Sequence, residues 1–297
     1  IPTYFVGSGS NLLVRLLDGH PSLRTTFDET YLLEYFYGVG DAARHAFLEF
    51  FFCGKVEDVV KAIQERGLLP MLGGALNESD ALVQHDFTER FDKERFCELL
   101  EQGRAIRPHT VRGLWDSWFV ALVGPAKQGR VVVKSNDYFA SSHSAWQHLG
   151  PMQIIFTIRN PISALGSRRA LWELQGRGGS FGTCRLIEEL DRYTRMISLL
   201  NDVSFRSEMS VLVIKFEDLI GDTMNTMSQV SDFLQIREDG CFEFPTVHGK
   251  PWFGNSAFGA TDGVALPDGE RAEKLREDEK TLVADCLSEF MSEYGYA

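Results

Sequence analysis

Two groups of residues in this sequence have types and spacings that could do chemistry. The first is Gly7-Ser8-Gly9-Ser10-Asn11, preceded by a short apolar run, Ile1 to Val6, and followed by Leu12, Leu13, Leu16 and Leu17. Small residues between a strand and a helix let several backbone N–H groups converge on an anion, and the helix dipole adds to the attraction. The second group is Arg159 and, eight residues on, Ser167, separated by Asn160-Pro161, where proline turns the chain into a helix. A helix starting near Pro161 brings Ser167 back towards the anion that Arg159 would hold with its planar fork.

What the first group lacks narrows its ligand. A triphosphate loop of the form GxxxxGK[ST] needs a lysine and a magnesium-binding hydroxyl, but Ser10 and Asn11 stand in those places, which disfavours ATP or GTP hydrolysis. A dinucleotide GxGxxG would need glycine where Leu12 stands. By itself Gly7-Ser8-Gly9 fits a plain strand-to-helix turn as well as an anion cradle.

The elements around these residues favour the cradle. Ile1 to Val6 reads as a buried strand, and continuous β-branched runs recur at Arg130 to Lys134, Gln153 to Ile158 and Ser210 to Phe216. Such runs are expected of parallel strands covered on both faces. Asp137 to Leu149 is long enough for a crossover helix. Strands alternating with helices imply an α/β fold, a parallel β-sheet flanked by helices, in which ligands bind beyond the carboxyl ends of the strands. The first turn, Lys134 and Arg159 all lie at such ends.

Other stretches read as helix or turn. Asp18-Gly19-His20-Pro21 stops the first helix, Tyr31 to Phe52 is an aromatic helical stretch, and residues 55 to 128 read as mostly helical. Val56 to Arg66 and Asp92 to Gln102 are amphipathic, while Trp115, Trp118 and Phe119 form a stripe expected in the core. His143 and His148 are read as structural, and Glu270 to Tyr294 as a solvated amphipathic packing helix. The whole chain, 1–297, is expected to form one domain, with about 35–128 as a helical insertion.

Composition sets outer bounds. A net charge of −12 argues against a nucleic-acid surface, so a bound polyanion must be met by a local cluster of Lys and Arg. No apolar run reaches membrane-spanning length, and the start lacks the basic region of a signal peptide. Because a strand begins at the first residue, some sequence before Ile1 is expected. The five cysteines are widely spaced, odd in number and without metal-ligand spacing, which suits a reducing cytoplasm and no zinc site.

Taken together, these segments resemble the superfamily of sulfotransferases that use 3′-phosphoadenosine 5′-phosphosulfate (PAPS). Val6 to Pro21 is similar to that family's 5′-phosphosulfate loop, helix and "DxHP" turn, and Arg159-Asn160-Pro161 with Ser167 to its 3′-phosphate motif. Phe216-Glu217-Asp218-Leu219 with Phe233-Leu234 resembles its "YEDL…FL" segment, and Trp252-Phe253-Gly254-Asn255-Ser256 the "W-x-GNS" segment of some branches. The stretch from about 35 to 128 matches nothing in the family pattern and is expected to shape acceptor choice.

The resemblance implies a P-loop-like sulfotransferase fold and metal-independent, in-line transfer of a sulfuryl group from PAPS to a hydroxyl or amine of a small-molecule acceptor, leaving adenosine 3′,5′-bisphosphate (PAP). Gly7, Ser8, Gly9, Ser10, Asn11 and Leu12 would hold the 5′-phosphosulfate. Arg159 and Ser167 would hold the 3′-phosphate, and Trp252, Phe253 and Asn255 would cover the adenosine, with Gly254 and Ser256 as further donor-binding residues; Trp252 equally fits a core plug. Lys134 would stabilise the leaving phosphate. Glu29, or its neighbour Asp28, would take the acceptor proton, with His20 and His109 as further candidates; a glutamate there also fits a helix N-terminus doing no chemistry. The sequence departs from the family at Gly7, where many members carry Lys or Arg; Lys134 or Arg15 would have to replace that charge.

Three rivals stay open: a non-catalytic PAP-binding protein, a P-loop small-molecule kinase, and an S-adenosylmethionine methyltransferase, which leaves Arg159 and Ser167 unexplained. For the acceptor, Tyr31, Phe36, Trp115, Trp118, Tyr138 and Phe139 suit an apolar or planar molecule, and the acidic balance suits a cationic one. Oligomeric state is not legible in the sequence.

Overall fold

The computed structural model describes residues 8–25, 36, 40–65, 93–123, 130–134, 150–174, 182–247, 250–252 and 273–296. The Ile1–Val6 strand and the 137–149 crossover helix lie outside them, as do Gly7, Asp28, Glu29, Tyr31, Tyr138, Phe139, His143, His148, Phe253, Gly254, Asn255 and Ser256.

Helix α1 spans Ser10–Leu17 and strand β1 spans Leu23–Thr25. Among the described residues there follow the helices α2 Asp41–Cys53, α3 Val56–Glu65, α4 Lys93–Ile106 and α5 Val111–Val123. Strand β2, Arg130–Val132, pairs parallel with β1, placing Thr25 beside Val132. Strand β3, Gln153–Ile158, is followed by α6 Pro161–Leu174, α7 Thr183–Asn201 and α8 Val203–Glu208. Strand β4, Ser210–Lys215, pairs parallel with β3 from Gln153↔Ser210 to Ile158↔Lys215. Then come α9 Phe216–Gly221, α10 Thr223–Leu234, a short antiparallel hairpin of β5 Thr246–Val247 and β6 Lys250–Pro251, and finally α11 Glu277–Cys286 and α12 Ser288–Glu293.

The continuous apolar character of β3 has its reason in the packing. Ile154, Phe156 and Ile158 face one apolar cluster, which takes in α2 to α5, α6, α7 and the two C-terminal helices. Ile155 faces the other, built from Leu12, Leu13, Leu16 and Leu17 of α1 with Val132, Ile214, Met227 and Val230. Alternate side chains thus enter two cores, and a strand covered on both faces has no room for the polar half of an alternating pattern. The expected α/β layering with parallel strands is the observed one.

Several expectations are corrected. The RVVVK run is strand only over Arg130–Val132, so Lys134 lies two residues past its end. In the aromatic stretch Phe36 is helical and buried, and helix α2 spans Asp41–Cys53, in keeping with the helical reading. Trp115 and Trp118 are core side chains, and Trp118 packs edge-on against Phe96. Neither offers a face to an acceptor, so both leave the list of acceptor candidates. The C-terminal stretch forms two helices broken at Leu287, and Glu279 on the first is buried.

The Asp18-Gly19-His20-Pro21 turn ties these layers together. Buried Asp18 accepts hydrogen bonds from Thr25 Oγ1 (2.9 Å) and Thr246 Oγ1 (2.8 Å), joining the end of α1 to β1 and β5. Removing the carboxylate strands two hydroxyls. Asp18→Ala is expected to cost about 2–3 kcal/mol, the loss of bonds to a charged group, read as a lower urea midpoint at unchanged slope. A midpoint within experimental error of the parent would show that the tie contributes nothing.

Among the described residues no helix is long and apolar enough to cross a membrane. All five cysteines are free thiols.

Candidate active site

The glycine turn is fastened to the paired strands β3 and β4. Ser8 is fully buried, its Oγ 2.9 Å from Oγ1 of Thr157 on β3. Gly9 has φ +87°, in the left-handed region, and a Cβ there would come within 2.2 Å of the Phe216 ring at the end of β4. Glycine is therefore needed twice, for the backbone angle and for the close approach. The Gly9 carbonyl accepts from Leu13 N–H at 2.9 Å, so the helix begins at Ser10, earlier than the sequence suggested. The N–H groups of Ser10, Asn11 and Leu12 precede that first helical bond, and the N-cap residue, Gly9, has no side chain with which to cap them. They form a positive helix end at the carboxyl side of β3 and β4.

Arg159 emerges from β3 at the same place. Its guanidinium lies over the Phe216 ring, 4.7 Å from the centroid, and its Nη1 donates to Ser167 Oγ at 3.3 Å. The local sequence sets this up. Asn160 caps α6 by accepting the N–H groups of Ile162 (3.0 Å) and Ser163 (3.3 Å), with Pro161 at the first helical position. Helix phase then returns Ser167 to the Arg159 side. Phe216 is shared: one part of its ring fills the space beside Gly9, and Arg159 stacks on its face. The loop and the arginine–serine pair are thus neighbours, brought together by one aromatic ring.

Carboxylates and phenols surround the pair. Glu217 Oε1 accepts the Asn160 N–H at 3.0 Å, and Glu217 Oε2 accepts from the Tyr296 hydroxyl at 3.0 Å. Tyr193 of α7 is buried, and burial pushes its phenol well above the ordinary tyrosine range, while the Arg159 charge nearby pulls the other way. Arg168 and Arg169, next to Ser167, face carboxylates. Arg168 Nε lies 3.9 Å from buried Glu189, and Arg169 makes a two-bond fork with buried Glu279 at 2.5 and 2.7 Å. Burial by itself would raise the Glu279 carboxyl; the Arg169 fork and the Arg276 N–H outweigh it and hold it below the usual range.

The remaining candidates divide. Lys134 is buried beyond the end of β2, on the side where the parallel strands release their loops. Arg15 is buried within α1. Trp252 is half-buried against the α1 cluster, its backbone N–H donating to Pro245 C=O at 2.9 Å. His20 has both ring nitrogens engaged: Nδ1 accepts from Ser22 N–H (3.1 Å) and Nε2 donates to Arg237 C=O (2.9 Å). With its ring stacked on Phe242, it is a structural tie with no lone pair left for an acceptor proton. His109 is exposed and stacks on Phe52. Among the described residues no group of three or more His, Cys, Asp or Glu could hold a metal ion.

Sequence reasoning quoted Phe216 and Glu217 without giving them a role, and it passed over Thr157, Tyr193 and Tyr296. Phe216 carried a usable signal, an aromatic at the end of a buried strand. The tyrosines carried none, since their place depends on contacts between distant segments.

A family model described as "Sulfotransferase family" matches residues 7–240. Among solved structures, the sulfotransferase domain from the curacin biosynthetic pathway is 17% identical, with a TM-score of 0.52, covering 97% of this chain and 96% of its own. The sulfotransferase domain of the Synechococcus PCC 7002 olefin synthase is 14% identical (TM-score 0.48, covering 97% and 93%). Sulfotransferase STF9 from Mycobacterium avium is 11% identical (TM-score 0.49, covering 98% and 76%). At these identities the curacin-pathway domain speaks for the fold alone. No curated protein matches.

Proposed function

Because the chain belongs to the sulfotransferase family, we propose that it moves a sulfuryl group from PAPS to a hydroxyl or amine of a small-molecule acceptor. The observation that carries the donor assignment is the meeting of the Ser8-Gly9 turn and the Arg159–Ser167 pair on Phe216. A turn of bare amides suits a 5′-phosphosulfate, and an arginine fork with a hydroxyl suits a second phosphate on the same nucleotide.

In this reading Arg159 and Ser167 bind the 3′-phosphate, and the amides of Ser8 to Leu12 orient the 5′ end. Gly7, which precedes Ser8 in the sequence, would add its amide to that cradle. Trp252, with Phe253 and Asn255 after it, covers the adenosine, and Gly254 and Ser256 are further donor-binding residues. PAPS, as substrate, supplies the sulfuryl group and leaves as PAP. Glu29 or Asp28 takes the acceptor proton while the new O–S or N–S bond forms and the S–O bond to phosphate breaks. Lys134 and the α1 dipole meet the charge that develops on the leaving phosphate, so the step uses positioning and charge and needs no metal. The helical region 35–128 shapes the acceptor side of a single domain. The free thiols suit a reducing, cytoplasmic setting.

Calorimetric titration with PAP, against 5′-AMP and ATP–magnesium, tests the reading. Micromolar PAP binding with far weaker 5′-AMP binding is expected, followed by sulfuryl transfer from PAPS in an acceptor screen. No PAP binding, or a preference for ATP–magnesium, would overturn it. PAP binding with no transfer to any acceptor would favour the non-catalytic PAP-binding protein, a reading kept because Gly7 stands where a basic residue is common.

A further inference from the structure

We infer that Tyr296 is a positioning residue for the donor site: through Glu217 it fixes the Arg159–Asn160 turn, and so sets how well the protein distinguishes a nucleotide with a 3′-phosphate. The inference rests on the reading of Arg159 as the 3′-phosphate ligand.

The chain of contacts is short. Tyr296 donates to Glu217 Oε2 at 3.0 Å, and Glu217 Oε1 accepts the Asn160 N–H at 3.0 Å. Each carboxylate oxygen therefore has one of these partners. Asn160 is both the residue after Arg159 and the cap of α6, the helix that carries Ser167. A shift of Glu217 moves the peptide that aims Arg159 and the helix end that aims Ser167. Phe216, beside Glu217, holds the guanidinium on its ring.

Tyr296 is itself held in place. Helix α12 ends in a Schellman motif: Gly295 takes φ +70°, its N–H donates to Ser292 C=O at 3.2 Å, and Tyr296 N–H donates to Met291 C=O at 2.7 Å. The reversal directs the tyrosine back onto the sheet end. There its ring lies 6.3 Å from that of Phe290, and Lys215 Nζ lies 5.4 Å from its centroid. Burial, then the Glu217 charge, pushes the phenol well above its ordinary range, so the hydroxyl remains a donor throughout neutral pH. A second C-terminal tie, the Arg169–Glu279 fork, grips α6 two residues beyond Ser167. Both supports come from residues beyond 240, where the family match ends.

Tyr296→Phe keeps the ring and removes the hydroxyl. PAP affinity is expected to fall about 5- to 10-fold, the worth of one hydrogen bond to a charged group acting at a distance, while 5′-AMP affinity stays within twofold. In the double Arg159→Ala, Ser167→Ala background the same change should cost no further PAP affinity, because both groups it positions are gone. Unchanged PAP affinity, or equal losses for PAP and 5′-AMP, would overturn the inference. Failure of the donor reading looks different: the parent protein itself would not distinguish PAP from 5′-AMP, and both conclusions would fall.

Discussion

Arg159→Ala raises the dissociation constant for PAP by about two to four orders of magnitude. The guanidinium is buried and stacked on Phe216, so its fork points from a fixed place at the end of β3. Two charge-assisted bonds to a phosphate, at roughly 1.5–3 kcal/mol each, account for that loss. Arg159→Lys keeps the charge without the fork and should fall in between. The specific readout is the contrast with 5′-AMP, which has no 3′-phosphate and should bind the variant as it binds the parent. Arg159 also holds the ring that packs beside Gly9, and a collapse of that contact would weaken both nucleotides alike. Ser167→Ala separates the two causes, since Ser167 touches Arg159 through its hydroxyl and is not part of the Phe216 stack. PAP affinity unaltered in Arg159→Ala would remove the residue from the site.

Glu29→Gln lowers kcat for sulfuryl transfer by about 10²- to 10⁴-fold, the usual worth of a general base, with PAP affinity unchanged. The amide keeps the size and most hydrogen-bonding capacity of the carboxylate and cannot take a proton. Glu29 follows β1 by four residues in sequence, and β1 lies parallel and in register with β2, beyond whose end stands Lys134. Asp28→Asn serves as the comparison. A large loss there with a near-normal rate in Glu29→Gln would assign the proton transfer to Asp28. Near-normal rates in both would end the carboxylate-base reading. His20 offers no substitute, because its two ring nitrogens are already engaged by Ser22 and Arg237.

Legibility in the sequence followed the range of the interaction involved. Strands β3 and β4 were readable nearly to the residue because burial on both faces writes an unbroken apolar run into the chain. Helix α4 was readable because Phe96, Leu99 and Leu100 meet on one side at helical spacing, and all three are buried. Strand β1 was missed: at three residues, Leu23–Thr25, it is too short for any period to show. The Asp18 to Pro21 turn was readable as a helix stop, but the work of Asp18 and His20 was not. Their partners Thr246 and Arg237 lie more than two hundred positions away. The C-terminal stretch was readable as an amphipathic packing helix, and Leu275, Val283, Leu287, Phe290 and Met291 are buried, but buried Glu279 looks like any surface carboxylate until Arg169 is placed against it.

The sequence by itself determined the layered arrangement, the glycine turn and the pairing of Arg159 with Ser167. Each is encoded in neighbouring residues: both faces of a strand, a strand-to-helix turn, and a helix phase set by Asn160-Pro161. Only the tertiary structure decided that the turn and the arginine meet on Phe216, that Trp115 and Trp118 are core, and that Glu217, Tyr193 and Tyr296 gather behind the site. Those contacts join segments with no shared periodicity. A hydrogen bond between residues 217 and 296 leaves no mark on the sequence around either. It exists because the chain reversal at Gly295 carries Tyr296 back to the end of β4, where Glu217 stands.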